Sequence, residues 1–415
     1  MAMKTYLLSG ILFYSIAFSA GAQVKTADEF CTSGVGAPAL RQTFVVIDGN
    51  IITQDLADGP SPDNTGWRRF AAQFFDARNP TIDQVMAPRE RITIAVANSD
   101  GSGLTPLFTG CLPTVGKDEA AKLDQETTGM QRFLGNDWRS SNEKAAEDFS
   151  RAATISLVQG LTKAKIGATE PAAEFAHGGL IQSLNRAKAY SLSNGLPRLI
   201  IYSDLAAYGL PVADTATARA KGRSDAETIA IDLQRVEVDL FTPGKATSEA
   251  ATEYLKSFFL AAKGKVETIA GEGGVLASNG APVKITVYQG GISYGADQYP
   301  IRMRVARDQN GSVIMSWIEE QSDRLRFSPF SGILNCAGED TCTFVGDRVF
   351  AQIWSDKPGP TPTCEGWMPF GGLRDLSFST QGDQLTGKIA DATCVINGQQ
   401  DGISFQLQRV PNAVF

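Results

Sequence analysis

Thr43-Phe44-Val45-Val46-Ile47-Asp48 is an unbroken apolar run that ends on an acid. A strand with one wet face alternates apolar and polar residues, and a strand buried on both faces does not. The run therefore predicts a central strand of a sheet covered on both sides. Working outward, residues 65–78 place Trp67, Phe70, Phe74 and Ala77 at three- and four-residue spacing, the stripe of an amphipathic helix. Further strands are expected at Arg91–Ala97, at Pro197–Asp204 (again ending on an acid), at Val236–Phe241 and at Lys265–Ala270. Between them, 117–164 reads as mostly helical, with a break near Gly135 and Asn136, and 178–193 as another helix. Residues 248–263 carry Tyr254/Leu255 and Phe258/Phe259, double rows four apart on one helical face. Strands alternating with helices imply an α/β unit, a doubly wound and mainly parallel sheet over 23–271. In such sheets ligands bind beyond the C-terminal ends of the strands, near the point where strand order reverses.

A glycine-rich linker, 272–282, then changes the composition. Beyond it, over 283–415, the pattern turns to period two: Val283–Tyr288, Ile301–Val305 and Ser312–Ile318 alternate apolar and polar residues. Asn310-Gly311 makes a tight turn, and later strands are expected at 349–354, 373–379, 384–389 and 403–410. This second unit is all-β, an antiparallel barrel or sandwich of about seven to nine strands.

The chain has 415 residues with 45 acidic and 38 basic side chains, a net charge of -7. A nucleic-acid partner is not expected, because phosphate binding needs a basic excess. One histidine in the whole chain excludes every site that needs two of them. Residues 1–22 read as a secretory signal peptide: Lys4, a short apolar core from Tyr6 to Phe18, then Ala20-Gly21-Ala22 before Gln23. About 13 apolar residues are too few to span a bilayer, and no later stretch is longer, so no transmembrane segment is expected in the mature chain. The expected location is periplasmic or secreted. There, an even number of cysteines forms disulfides. The unit boundaries suggest Cys31 with Cys111, Cys336 with Cys342, and Cys364 with Cys394.

An apolar first strand ending in Asp48, a later strand ending in Ser203-Asp204 and a long helical section between them resemble the von Willebrand factor type A domain. The resemblance covers residues 40–270 and implies an adhesion or assembly module. In that family the first strand leads into Asp-x-Ser-x-Ser, which joins a threonine and a distant aspartate around a divalent cation. Hard Mg2+ takes such oxygen ligands. Here the stretch reads Asp48-Gly49-Asn50-Ile51-Ile52. The metal ligands the resemblance implies are Asp48, Asn50, Asp204 and Thr169. Asn50 offers an amide where the family has its first serine, and Ile52 offers nothing at the second.

Catalytic motifs lack their context. Gly291-Ile292-Ser293-Tyr294-Gly295 matches G-x-S-x-G, yet its flanks are strand and turn, and the sole histidine, His177, precedes it. No phosphate-cradling or dinucleotide loop is present in the sequence. The reading is an exported binding, adhesion or envelope-assembly protein that recognises a protein or cell-surface partner through the C-terminal edge of its α/β sheet. The alternative is a secreted hydrolase with carboxylates in the interdomain cleft.

Overall fold

The computed structural model describes Cys31 and residues 40–413, apart from 53–65, 76–85, 135–136, 167–177, 188–195, 204–213, 234–235, 243–247, 272–281, 295–296, 321–324, 354–371 and short breaks at 309, 328, 339–340, 347, 397–398 and 412. Its first unit is a six-stranded sheet in the order β3-β2-β1-β4-β5-β6. These strands are β1 (Arg41–Asp48), β2 (Arg91–Ala97), β3 (Leu104–Cys111), β4 (Leu196–Tyr202), β5 (Glu237–Thr242) and β6 (Lys265–Gly271). All neighbours run parallel except β2 and β3. The mainly parallel, doubly wound α/β sheet is thus present, with β1 at its centre. The antiparallel edge strand β3 was not among the expected strands, because its sequence (Leu-Thr-Pro-Leu-Phe-Thr-Gly-Cys) contains Pro106 and no unbroken apolar run.

Because β1 is buried on both faces, its alternate side chains feed two separate cores. Val45 and Ile47 point to a cluster with Trp67 and Phe70 of helix α1 (Gly66–Ala72), with Phe74 in the turn that follows it, and with Phe149, Ala152 and Leu157 of α4 (Trp138–Leu161). Phe44 and Val46 point the other way. They meet α5 (Gly178–Ala187), α6 (Thr215–Ile229) and α7 (Glu249–Ala261), with Leu180, Leu184, Tyr254, Phe258 and Phe259 at the contact. The double rows read from the sequence of α7 are this contact. Helix α6 has no comparable stripe: Ala218, Gly222 and Ala226 are its buried positions, so its inner face is small residues rather than large ones. No expectation covered it for that reason.

The stretch expected to be two helices is three. α2 (Lys117–Glu126) and α3 (Gly129–Phe133) precede α4, and together with the first half of α4 they form a helical arm. The arm starts at the N-terminal end of the sheet, since β3 ends there opposite Arg91 and Arg89 pairs with Glu119 of α2. Every buried residue of α4 lies from Phe149 onward. Among the described residues, no helix is long and apolar enough to cross a membrane.

The second unit is an antiparallel barrel. Its strands are β7 (Lys284–Tyr294), β8 (Asp297–Arg307), β9 (Ser312–Glu320), β10 (Leu325–Phe327), β11 (Phe330–Cys336), β12 (Thr341–Gly346), β13 (Arg348–Ile353), β14 (Gly372–Gln381), β15 (Gln384–Ile396) and β16 (Gln399–Arg409). β7 to β9 pair in chain order, β11 pairs with both β9 and β12, β10 pairs with β13, β16 returns to β7, and β14 closes onto both β12 and β15. β12 and β13 lie end to end along one edge of β14. Counted that way, eight strands close the wall, within the expected range. Inward residues such as Tyr288, Ile301, Met303, Phe330, Phe344 and Phe378 fill its centre. Phe344 stacks on Phe378 at 4.5 Å. Ser293 sits within β7, paired with Gln298 and Ser404, as a strand residue of the G-x-S-x-G stretch would.

Leu196 at the start of β4 packs with Ala306, Trp317 and Ile285 of the barrel wall and joins the two units. The guanidinium of Arg304 covers the Trp317 ring at 4.9 Å. Disulfides join Cys31 to Cys111 and Cys336 to Cys342. Cys364 lies outside the described residues, and the expected bond to Cys394 with it.

Candidate functional site

Strand order reverses between β1 and β4, so their C-terminal ends mark the place where sheets of this kind bind ligands. Asp48 closes β1 there and is only 1% exposed. Its Oδ1 accepts the backbone N–H of Asn50 at 3.0 Å, the local turn that an aspartate favours after a strand. Its Oδ2 accepts the hydroxyl of Ser203 at 2.6 Å, across the switch point from the residue following β4. Ser203 was not among the expected ligands. The signal for it was present, since it precedes Asp204 at the end of an apolar run.

Gly49 lets this turn lie flat against the end of β2. A Cβ at that position would stand 2.7 Å from the Ala97 carbonyl oxygen and 3.2 Å from the Ser99 nitrogen, both backbone atoms that cannot swing away. Asn98 then organises the neighbouring loop. Its Oδ1 accepts the Thr105 hydroxyl at 2.9 Å and the Lys165 N–H at 3.1 Å, and its Nδ2 donates to Ser102 at 3.0 Å. Helix α5 approaches closely, with Gly179 placed so that a Cβ would be 2.3 Å from the Ser99 oxygen. Lys165 pairs with Asp100, and that hydrogen bond holds the Asp100 carboxyl well below the usual carboxylate range.

Asp48 and the Ser203 hydroxyl are hard oxygen groups brought together at one strand end, with Asn50 two residues along the chain, and oxygen is the donor that Mg2+ takes. Ile52 is fully buried in the core beside Phe74 and Trp67, which is why that position carries no donor. Thr169 and Asp204, the other two expected ligands, lie outside the described residues, as does His177. Among the described residues, no group of three His, Cys, Asp or Glu side chains could hold a metal.

The opposite end of the sheet is built differently. Glu90, fully buried, accepts Arg41 Nε and Nη2 at 2.9 Å each, the Ala87 N–H at 2.6 Å and the Thr43 hydroxyl. Burial opposes the charge on Arg41, but contact with Glu90 outweighs it and holds the guanidinium above its ordinary pKa. Arg198 donates to Asp239 at 2.9 Å, both wholly buried. Glu237, opposite Arg198 in the β4–β5 register, has its carboxyl pushed up by burial. Glu237 and Asp239 stand on the strand next to Leu196 and its interdomain contact, yet neither reaches solvent. The barrel carries an open depression of about 920 Å³ on its outer wall, lined by Ser377, Ser379, Thr386, Ser404 and Gln406.

No protein-family model matches the chain, and no curated protein does. Among solved structures it is similar to the SpRpn10 VWA domain, at 11% identity and a TM-score of 0.26, covering 58% of this chain and 92% of that one. It is also similar to the human COPII-coat protein Sec24c, at 10% identity and a TM-score of 0.26, covering 93% of this chain and 45% of that one. Strand order and direction, rather than either superposition, carry the fold assignment.

Proposed function

We propose that this chain is an exported binding protein that recognises a protein or cell-surface partner through the C-terminal edge of its α/β sheet, around Asp48, Asn50 and Asp204. The observation that carries the reading is the Asp48–Ser203 bond, which locks two parallel strand ends together at the switch point where such sheets bind ligands. Asp48 is too buried to meet a macromolecule itself. Its work is to hold the turn that presents Asn50. A divalent cation, held by Asp48 and Asn50 with Thr169 and Asp204, would supply the positive charge that a partner's carboxylate seeks. Disulfide-bonded cysteines in both units agree with export to an oxidising compartment.

A thermal melt of the mature chain with Mg2+ against EDTA tests the cation. Saturation to ~100 times Kd stabilises a fold by ~2.7 kcal/mol. That raises the α/β transition by roughly 5–11 °C. The rise should disappear in Asp48→Asn and shrink in Asn50→Ala, whose half-buried position makes misfolding a poor explanation. A flat titration discards the cation.

A further inference from the structure

Helix α3 is five residues long and buries none of them. Met130 is 75% exposed, Phe133 88% and Leu134 62%, and their i, i+3, i+4 spacing puts all three on one side. Together they offer on the order of 400 Å² of apolar surface, the size of the largest exposed patch on a typical monomer, which is often functional. A helix this short does not hold itself in water. Here polar bonds hold it. Thr128 and Gln131 form a reciprocal capping box at its start. Behind it Asp124 of α2 gathers three groups: its carboxylate accepts Trp138 Nε1 at 3.0 Å and both bonds from Arg139 Nη2 at 2.8 Å, and its carbonyl accepts Arg132 Nη2 at 2.9 Å. The arm is therefore ordered before any partner arrives, and what it displays is apolar.

We propose that the tip of this arm is a docking peg for a protein partner carrying an apolar groove with a basic rim. The helical spacing of the three anchors is the one that grooves read. Charge selects the class of occupant. Along 117–148 acidic side chains outnumber basic ones eight to five, which disfavours an anionic lipid surface and favours a rim of Lys and Arg. The arm that carries the peg leaves the sheet at its N-terminal end, the end opposite Asp48.

The test places a photoreactive p-benzoylphenylalanine at position 133 of the full chain, with irradiation in its native cells. The expected product is a discrete adduct with a different protein, cross-linked in an apolar groove bordered by Lys or Arg. That protein, purified, should bind the full chain with an affinity that Phe133→Asp lowers about 100-fold and that added salt weakens. Because Phe133 is exposed, the variant should melt with the wild type, which separates lost docking from lost folding. Absence of an adduct, an adduct of two copies of this chain, or binding indifferent to Phe133→Asp would overturn the proposal. So would co-sedimentation with phosphatidylglycerol vesicles that Phe133→Asp abolishes.

Discussion

At the C-terminal ends of the strands Asp48 is held by a backbone amide and a hydroxyl, whereas at the N-terminal ends Glu90 is held by a guanidinium fork, a hydroxyl and an amide. Both carboxylates are buried, one at each end of the same sheet. They differ in what their neighbours demand. Removing Glu90 takes its hydrogen-bonded carboxylate from a buried cation, while removing a donor from Asp48 affects only part of one hydrogen-bonding group. The N-terminal end is accordingly framework, and the C-terminal end is a turn held in position by bonds that cost less to exchange.

The sharpest way to break the contrast is Glu90→Ala. Arg41 would remain buried without its carboxylate, and such losses cost about 3–5 kcal/mol. A fall of roughly 6–20 °C in the α/β transition is expected. A fall below a couple of degrees would show that the fork is not framework. Next in size is Ser203→Ala, which takes the hydroxyl from Asp48 Oδ2 and should cost about 1–3 kcal/mol. Denaturant titration reads it directly, and equality with Glu90→Ala would erase the distinction between the two ends.

Glu237→Gln probes the framework through pH. Burial raises the Glu237 carboxyl in the folded chain, so between the ordinary carboxylate range and that raised value the folded state keeps a proton that the unfolded state releases. Its contribution is complete at acidic pH and is lost as pH rises through that window. The amide cannot ionise. The variant should therefore lose this decline and gain on the order of 1 kcal/mol at neutral pH. Melting curves that stay parallel to wild type from acidic to neutral pH would count against the buried charge. The smallest effect is expected from Asp124→Ala, whose bonds to the arm are half exposed and worth about 0.5 kcal/mol. Global melting should hardly change, while hydrogen exchange of amides in 117–138 should quicken. Unchanged exchange would mean that something other than Asp124 orders the arm.

Particular residues show how much was legible beforehand. The unbroken run Thr43–Asp48 marked a strand buried on both faces, and the rows Tyr254/Leu255 and Phe258/Phe259 marked a helix on that sheet, because large apolar side chains leave a period. Helix α6 left none, since close packing of Gly222 against the Tyr254 carbonyl needs smallness rather than hydrophobicity. Strand β3 hid behind Pro106, which an edge position tolerates. In the candidate site Asp48 and Asn50 were read from the sequence, but Ser203 was not, because its bond to Asp48 spans 155 positions.

Periodicity and composition alone determined the two architectures, for these depend on which residues avoid water and at what spacing. Only the tertiary structure decided that eight strands close into a barrel, that Glu90 meets Arg41 and that Asp48 meets Ser203. It also decided that Met130, Phe133 and Leu134, apolar like any core residues, stand in the open. Hydrophobicity is a property of the residue, whereas burial is settled by what the rest of the chain brings against it.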